Sequence, residues 1–334
     1  MKLKNEYIFG CLVQWYEVGM IKEYVDSCIQ FAEGVENIES IIFHFKVGYQ
    51  TFLEKPEVGF NEIMEKIDEQ IGRLRDYGDV INEEVIDDDG FYNIAAYRRE
   101  LCDQWCDRVD YVCWGETDSL WPAQTLVLME SLHQMVADET PKFVASFAGR
   151  KNWDATWTPI THPLYRNVPY VDTDEWVLEN EASEKAYMSI DRMNAINDIP
   201  LDQVDIIEMH EPKADGSCLI ISSELIRSGV NIPRSLIHCG EDESFLQMAK
   251  IIMGSGFRQY NFNNILRVHN RRHPHKRTYV LNEDNARGFC DDRKGKWWKI
   301  LEDSSKYNLG TVRQQKRSIQ LDDVMKQIEN IQNG

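Results

Sequence analysis

The stretch Asp110-Tyr-Val-Cys-Trp-Gly-Glu-Thr-Asp-Ser-Leu-Trp-Pro122 combines the signals of a strand, an acidic loop and a helix start. Tyr111 to Trp114 is an apolar run too short for a helix, which predicts a buried strand. Glu116 and Asp118 follow, and both carboxylates can turn toward one point and hold a hard divalent cation. Pro122 favours a first helical position, where its missing N–H costs nothing, so we predict a helix from Pro122 to Val136. A solvated acidic loop that caps this helix is the alternative.

The chain before this stretch has the pattern strand, helix, strand. Tyr7 to Trp15 and Ser40 to Val47 are strand candidates, and the residues between them show helical apolar spacing up to Gly34, a left-handed cap. Such a βαβ unit implies parallel strands and a right-handed crossover. Ligands of open α/β sheets bind at the carboxyl ends of strands, where the acidic loop is predicted to lie.

Further elements are predicted from the spacing of apolar residues and from glycines at the ends of segments. The helices are Phe60 to Leu74, Phe91 to Cys106, Thr173 to Asn197, a helix that follows Gly240-Glu-Asp242, and a terminal amphipathic helix from Leu321 to Ile331. The strands are Val80 to Ile86, Lys142 to Phe147, Val204 to His210, the Leu219 region and Asn263 to His269. The terminal helix packs either on the core or on a second subunit.

Composition limits the partners of the chain. Its 334 residues carry 37 Lys plus Arg against 56 Asp plus Glu, a formal charge of −19, which disfavours broad binding to nucleic acids or to anionic membranes. No apolar run approaches the roughly 20 residues needed to span a bilayer, and Met1 to Glu6 lacks a signal-peptide core, so we expect a cytoplasmic protein. The eight cysteines form no Cys-x-x-Cys pair, which indicates reduced thiols rather than disulfides or a zinc framework.

The acidic loop resembles that of the family 2 glycosyltransferases of the GT-A fold. In that family a strand ends in Asp-x-Asp, commonly followed by a Pro that starts a helix. Glu116-Thr-Asp118 stands there, with Glu for the first Asp and with Pro122 in register. The βαβ start, the segment Gly216-Ser-Cys-Leu-Ile, the triplet Gly240-Glu-Asp242 and a late His269 follow in the family's order.

The resemblance covers roughly residues 5 to 270. It implies an α/β fold of the GT-A (Rossmann-like) type, a three-layer sandwich with a mostly parallel central sheet. We therefore assign residues 1–280 to a GT-A domain and 281–334 to a C-terminal extension with the terminal amphipathic helix.

The implied activity is metal-dependent transfer of a sugar, with inversion, from a nucleoside diphosphate sugar to a hydroxyl acceptor. The resemblance implies uridine as the nucleoside. Asp118, Glu116 and His269 would hold the divalent metal, Mn²⁺ or Mg²⁺, with His273 and His275 as competitors of His269. Asp242 would be the base, at a helix N-terminus that keeps a carboxylate ionised. Alternatively, the acids after Gly240 only cap their helix.

The same resemblance assigns residues to donor and acceptor. The nucleotide and diphosphate would be bound by Trp15, Glu17, Arg98, Arg99, Arg271 and Arg272, and the donor/acceptor pocket would contain Gly216, Ser217, Glu241 and Trp153. Arg98 and Arg99 could instead be surface cations that balance neighbouring acids. Trp153 lies in an irregular aromatic segment that either stacks on sugar rings or packs over the sheet. The family's acid at the end of the second strand is missing here.

Other functions stay open at this point. The basic run Arg267 to Arg277 either closes over a diphosphate or meets a polyanionic acceptor such as DNA or RNA. The same scaffold could glycosylate a nucleobase hydroxyl in DNA, or the protein could bind or hydrolyse a nucleotide sugar without transfer. The sequence does not identify the sugar, the acceptor, the metal or the oligomeric state.

Overall fold

The structure is a computed structural model that describes residues 1–50, 59–87, 92–150, 160–168, 187–211, 213, 215–270, 296–314 and 319–332. Its strands are β1 (Tyr7–Gln14), β2 (Ile41–Gln50), β3 (Asp79–Asp87), β4 (Tyr111–Glu116), β5 (Ser119–Leu120), β6 (Phe143–Ala148), β7 (Ile206–Glu208), β8 (Leu219–Ser222), β9 (Arg258–Leu266) and β10 (Val268–His269). Its α-helices are α1 (Ile21–Ala32), α2 (Phe60–Ile71), α3 (Ile94–Trp105), α4 (Thr125–Val136), α5 (Ile190–Asn197), α6 (Ser223–Arg227), α7 (Glu241–Met253), α8 (Lys296–Gln314) and α9 (Leu321–Gln332).

Eight of the described strands form one sheet in the order β3-β2-β1-β4-β8-β6-β9-β7. The pairs β1–β2, β1–β4, β2–β3 and β6–β9 are parallel, whereas β4–β8, β6–β8 and β7–β9 are antiparallel. The predicted mostly parallel sheet is confirmed. Strand β1 is buried at every position, as its continuous apolar sequence requires when helices cover both faces.

The side chains of β1 alternate between two cores, so the sheet is the middle of three layers. Phe9 packs with residues of α1, α2 and α4 on one face, and Ile8 packs with residues of α3, α6 and α7 on the other. Each such apolar side chain contributes about 1.5–3 kcal/mol by burial. Helix α3 approaches β1 closely at Gly10, where an added Cβ would lie 2.2 Å from a methyl group of Leu101.

Two predicted boundaries near the acidic loop are wrong. The helix predicted from Pro122 begins at Thr125, because the Pro122 carbonyl accepts hydrogen bonds from the N–H and the hydroxyl of Thr125 in a turn that precedes the helix. The strand predicted from Asn263 to His269 begins at Arg258 and is interrupted at Arg267. His269 therefore lies on β10, which pairs with β5 rather than with the main sheet.

Other boundaries differ for local reasons. The helix predicted from Phe91 begins at Ile94, since the side chain of Asn93 accepts hydrogen bonds from two backbone N–H groups and caps it. Trp15 begins a 3₁₀ turn instead of ending β1. In the described part of the segment predicted as a helix from Thr173, the helix begins at Ile190; residues 173–186 lie outside the described ranges.

The terminal helices pack on the rest of the chain. Leu301 of α8 and Val324 and Ile328 of α9 form a small core with Ile237, which precedes α7. The side chain of Asn308 donates hydrogen bonds to the carbonyls of Ser235 (2.7 Å) and Ile319 (2.9 Å). Helix α8 was not predicted. The proposed domain boundary at residues 280 and 281 falls in 271–295, outside the described residues, and stays a prediction.

All seven cysteines in the described ranges are free, and six of them are buried. This agrees with the expectation of reduced thiols. None of the described helices combines the length and the apolar character that crossing a membrane would require.

Candidate functional site

Three side chains converge at the carboxyl end of β4. Glu116 is the last residue of that strand, Asp118 lies in the turn that follows, and His269 is on β10. His269 Nε2 is 3.4 Å from Glu116 Oε2 and 3.4 Å from Asp118 Oδ1. The three potential ligand atoms all lie within 4.8 Å of one another. Residues separated by more than 150 positions in the chain thus share one point in space.

Backbone pairing holds this cluster together. His269 lies opposite Ser119 in the antiparallel β5–β10 ladder, and the Asn270 N–H donates to the Asp118 carbonyl at 2.6 Å. The side chain of Asn270 bonds in turn to both backbone groups of Met188. The acidic loop is therefore fixed against β10 rather than extended into solvent, and only 5% of Asp118 and 7% of His269 is exposed.

The donor set fits a divalent transition metal. Two carboxylates and one imidazole offer oxygen and nitrogen ligands, a combination that suits Mn²⁺ better than Mg²⁺, which prefers oxygen and water. Two acids this close repel each other in a buried site, and a cation between them would offset that repulsion. Glu116, Asp118 and His269 could hold such an ion.

Arg98 joins this cluster to the N-terminus of α7. Its guanidinium donates to Glu116 Oε1 (2.7 Å), to Glu241 Oε1 (2.5 Å) and to the Gly216 carbonyl (2.7 Å), and it lies over the ring of Trp114. Arg98 is fully buried, so the surface-cation alternative is wrong for this residue. Gly216 leaves room for it, since a Cβ there would lie 2.2 Å from an Arg98 nitrogen.

Asp242 and Glu241 have different partners although they are adjacent. Glu241 pairs with Arg98, whereas Asp242 Oδ2 accepts from the Gly216 N–H at 2.9 Å and Oδ1 accepts from the Glu243 N–H at 2.7 Å. The second contact is one that a helix-capping acid would make. Burial, together with the negative charge of Glu241, raises the pKa of Asp242 to about 7. A carboxyl group with such a pKa can exchange a proton near neutral pH.

The other residues predicted to bind donor or acceptor are dispersed. Glu17 accepts a hydrogen bond from the hydroxyl of Thr117 (2.9 Å) and so lies beside the acidic loop. Trp15 is 1% exposed and belongs to the core. Arg99 donates to three carbonyls of the segment before α7, those of Ile232, Pro233 and Leu236. Donor binding by these residues stays a prediction.

Part of the predicted site lies outside the described residues. Trp153 falls in 151–159, and Arg271, Arg272, His273 and His275 fall in 271–295. It therefore stays open whether His273 or His275 replaces His269 as a metal ligand. It also stays open whether the basic run binds a diphosphate or a polyanionic acceptor.

Sequence reasoning missed one buried ion pair beside the cluster. Arg267 donates to the carboxylate of Asp215 and to the hydroxyl of Ser217, and Asp215 Oδ1 accepts from the Ser217 hydroxyl at 2.9 Å. Burial lowers the pKa of Arg267 to about 10, so it is charged at neutral pH. Asp215 precedes the Gly-Ser pair and Arg267 begins the basic run, but no local pattern links the two positions.

Comparison with solved structures finds distant similarity to TarS and GalNAc-T7, among other proteins. The structure of residues 1–349 of TarS from S. aureus aligns at 10% identity with a TM-score of 0.47, over 92% of this chain and 80% of that one. The same TarS fragment in complex with UDP-GlcNAc aligns at 10% identity with a TM-score of 0.42, over 77% of this chain and 58% of that one. GalNAc-T7 with UDP, GalNAc and Mn²⁺ aligns at 9% identity with a TM-score of 0.43, over 79% of this chain and 44% of that one.

These neighbours are glycosyltransferases. This chain spans less than two thirds of the length of the latter two structures. No protein-family model and no curated protein matches the sequence.

Proposed function

We propose that this protein is a metal-dependent, inverting glycosyltransferase that moves a sugar from a nucleoside diphosphate sugar to a hydroxyl acceptor. The observation that carries this proposal is the convergence of Glu116, Asp118 and His269 at the end of a parallel strand, connected through Arg98 and Gly216 to the carboxylate of Asp242. The nucleotide that we propose is UDP, on the basis of the family that the sequence resembles.

Each part of this arrangement has a chemical task. Glu116, Asp118 and His269 would hold a divalent cation, which would neutralise charge on the leaving diphosphate. The acceptor oxygen forms a bond to the anomeric carbon while the bond from that carbon to the diphosphate oxygen breaks. The proton of the acceptor hydroxyl passes to the ionised carboxylate of Asp242. The Gly216 N–H orients that carboxylate by its hydrogen bond to Oδ2.

Thermal melting tests the donor site directly. With Mn²⁺ present we expect UDP or a UDP-sugar to raise the melting midpoint, because a ligand that binds only the folded state stabilises it by mass action, by about 2.7 kcal/mol at about 100 times its Kd. Without Mn²⁺, or in Asp118→Asn, the shift should largely disappear. A panel that includes other nucleoside diphosphates identifies the base, and no shift with any of them would contradict the proposal.

Product analysis separates transfer from hydrolysis. Incubation of the donor that shifts the midpoint with candidate hydroxyl acceptors should yield a glycoside of inverted anomeric configuration. Free sugar formed at the same rate with and without acceptors would favour the hydrolase alternative.

We also expect transfer to depend on pH. Only the ionised form of Asp242 can accept a proton, and burial beside Glu241 raises its pKa to about 7 in the metal-free site. We therefore expect kcat/KM to rise with pH, with a midpoint near 7 that a bound cation would lower. Initial rates at saturating Mn²⁺ between about pH 5 and about pH 9 measure this profile, and a profile that is flat over the whole range would contradict Asp242 as the base.

A further inference from the structure

We propose that Asp215 is a positioning residue of the metal site that acts through His269, orienting the imidazole so that Nε2 faces the cation. This rests on the metal role proposed above but concerns a residue outside the ligand cluster. The contact of Asp215 with His269 and its anchoring by the buried side chains of Arg267 and Ser217 carry the inference.

The two ring nitrogens of His269 face different groups. Nε2 lies 3.4 Å from a carboxylate oxygen of each proposed acidic ligand, whereas Nδ1 lies 3.9 Å from Asp215 Oδ1. Histidines that bind metals donate their other ring N–H to a carboxylate, a carbonyl or water, which fixes the tautomer and raises the basicity of the ligating nitrogen. Nδ1 of His269 faces Asp215, as such a carboxylate–histidine–metal arrangement requires. At 3.9 Å the contact between Nδ1 and Oδ1 is longer than a hydrogen bond, so Asp215 acts on the ring by its charge.

Asp215 is itself held in place on several sides. Its Oδ2 accepts from the guanidinium of Arg267, and its Oδ1 accepts from the backbone N–H (3.2 Å) and the hydroxyl (2.9 Å) of Ser217. Its side chain is 10% exposed, and that of Arg267 is 4% exposed. A carboxylate this deeply placed needs a paired cation and hydrogen bonds, and Asp215 has both.

The anchoring connects two segments that are far apart in the chain. Asp215 and Ser217 precede β8, and Arg267 is two residues before His269. The guanidinium of Arg267 bonds to both Asp215 and Ser217, so it sets the loop before β8 against β10. Cys218, next in this loop, has a φ of 56°, the only positive φ at a non-glycine position among the described residues. Such a conformation persists where surrounding contacts enforce it.

The binding of Mn²⁺ alone, measured by titration calorimetry without donor or acceptor, tests this role. Asp215→Asn keeps the size of the side chain, and its one oxygen can still accept from Arg267, but it removes the charge that faces His269 and the acceptor of the Ser217 N–H. We expect its Mn²⁺ affinity to be about 10- to 100-fold weaker than that of the wild type. Asp205→Asn is the matched control, because Asp205 bonds to Asn263 and should leave the affinity unchanged.

A double-mutant cycle distinguishes action through His269 from general electrostatics or loss of structure. In a His269→Ala background, Asp215→Asn should weaken Mn²⁺ binding by less than about 2-fold further, because the ring through which it acts is gone. An equal further loss in both backgrounds would overturn the proposal, as would wild-type affinity in Asp215→Asn.

A milder variant covers the case in which Asp215→Asn folds poorly. Ser217→Ala removes the hydroxyl that donates to Asp215 and accepts from Arg267 while it keeps the ion pair of those two residues. It should reduce Mn²⁺ affinity several-fold in the wild type but not in the His269→Ala background, and unchanged affinity in both would count against the proposal. If the wild-type protein binds Mn²⁺ but transfers no sugar, the proposed function is refuted. The role of Asp215 is then still tested by the double-mutant cycle. Wild-type protein that binds no Mn²⁺ would overturn both.

Discussion

Replacing Asp242 with Asn is expected to lower the kcat of sugar transfer by about 10²- to 10⁴-fold, the usual contribution of a general base. The amide keeps one oxygen that can accept from the Gly216 N–H, so the contact between α7 and the loop before β8 should persist, while the bond from the Glu243 N–H is lost. It cannot take up the acceptor's proton. Steady-state kinetics with the donor identified by melting measures the loss, and the melting shifts with Mn²⁺ and UDP should stay close to those of the wild type.

Glu243→Gln is the matched control for this experiment. Glu243 is the next acid in the first turn of α7, but it is exposed and its side chain contacts Gln247. Its replacement should leave kcat within about 2-fold of the wild type, since it lacks the contact with Gly216. Equal loss of nucleotide binding and of transfer in Asp242→Asn would indicate a structural role for Asp242, and retained transfer would exclude it as the base.

Arg98→Met is expected to destabilise the protein by at least about 3 kcal/mol, because it leaves the carboxylates of Glu116 and Glu241 partly buried without their cation. The thioether keeps most of the volume beside Trp114, so loss of packing contributes little. Unfolding in urea measures the free energy, and the melting midpoint should fall by roughly 6 °C in a chain of this size. The free energy of unfolding of Arg98→Lys should lie between those of the wild type and of Arg98→Met, because one ammonium group cannot reproduce all the contacts of the planar guanidinium.

Arg73→Met provides the comparison at the surface. Arg73 also pairs with an acid, Asp26 at 2.6 Å, but its side chain is 40% exposed. Its loss should cost less than about 1 kcal/mol because water solvates the acid that is left. Similar stability changes in the Arg98 and Arg73 variants would contradict the buried network that connects the acidic loop to α7.

The elements were predictable from the sequence where local chemistry alone determines them. The apolar run before Glu116 has to be buried, and its length allows only a strand, so β4 and the position of its acids follow directly. The boundaries were less predictable, because they depend on contacts. Pro122 was expected to start α4, but its carbonyl accepts hydrogen bonds from Thr125 in a turn that precedes the helix, so α4 begins at Thr125.

The partners of buried charges were not predictable. Arg98 was assigned to the diphosphate or to the surface, and the structure places it between Glu116 and Glu241. Nothing in the neighbourhood of either acid in the sequence indicates an arginine, because the helix that carries it reaches them through its packing on β1. Asp215 and Arg267 were missed for the same reason.

The sequence by itself therefore determined the α/β class, the mostly parallel sheet and the chemical types in the acidic loop, because hydrophobic periodicity and short motifs act over a few residues. The resemblance had placed His269 with the two acids, but only the tertiary structure decided that Arg98 joins those acids to α7 and that Asp215 lies 3.9 Å from the histidine ring. These contacts connect positions far apart in the chain, and they depend on strand order and on β5–β10 pairing, which no local pattern encodes.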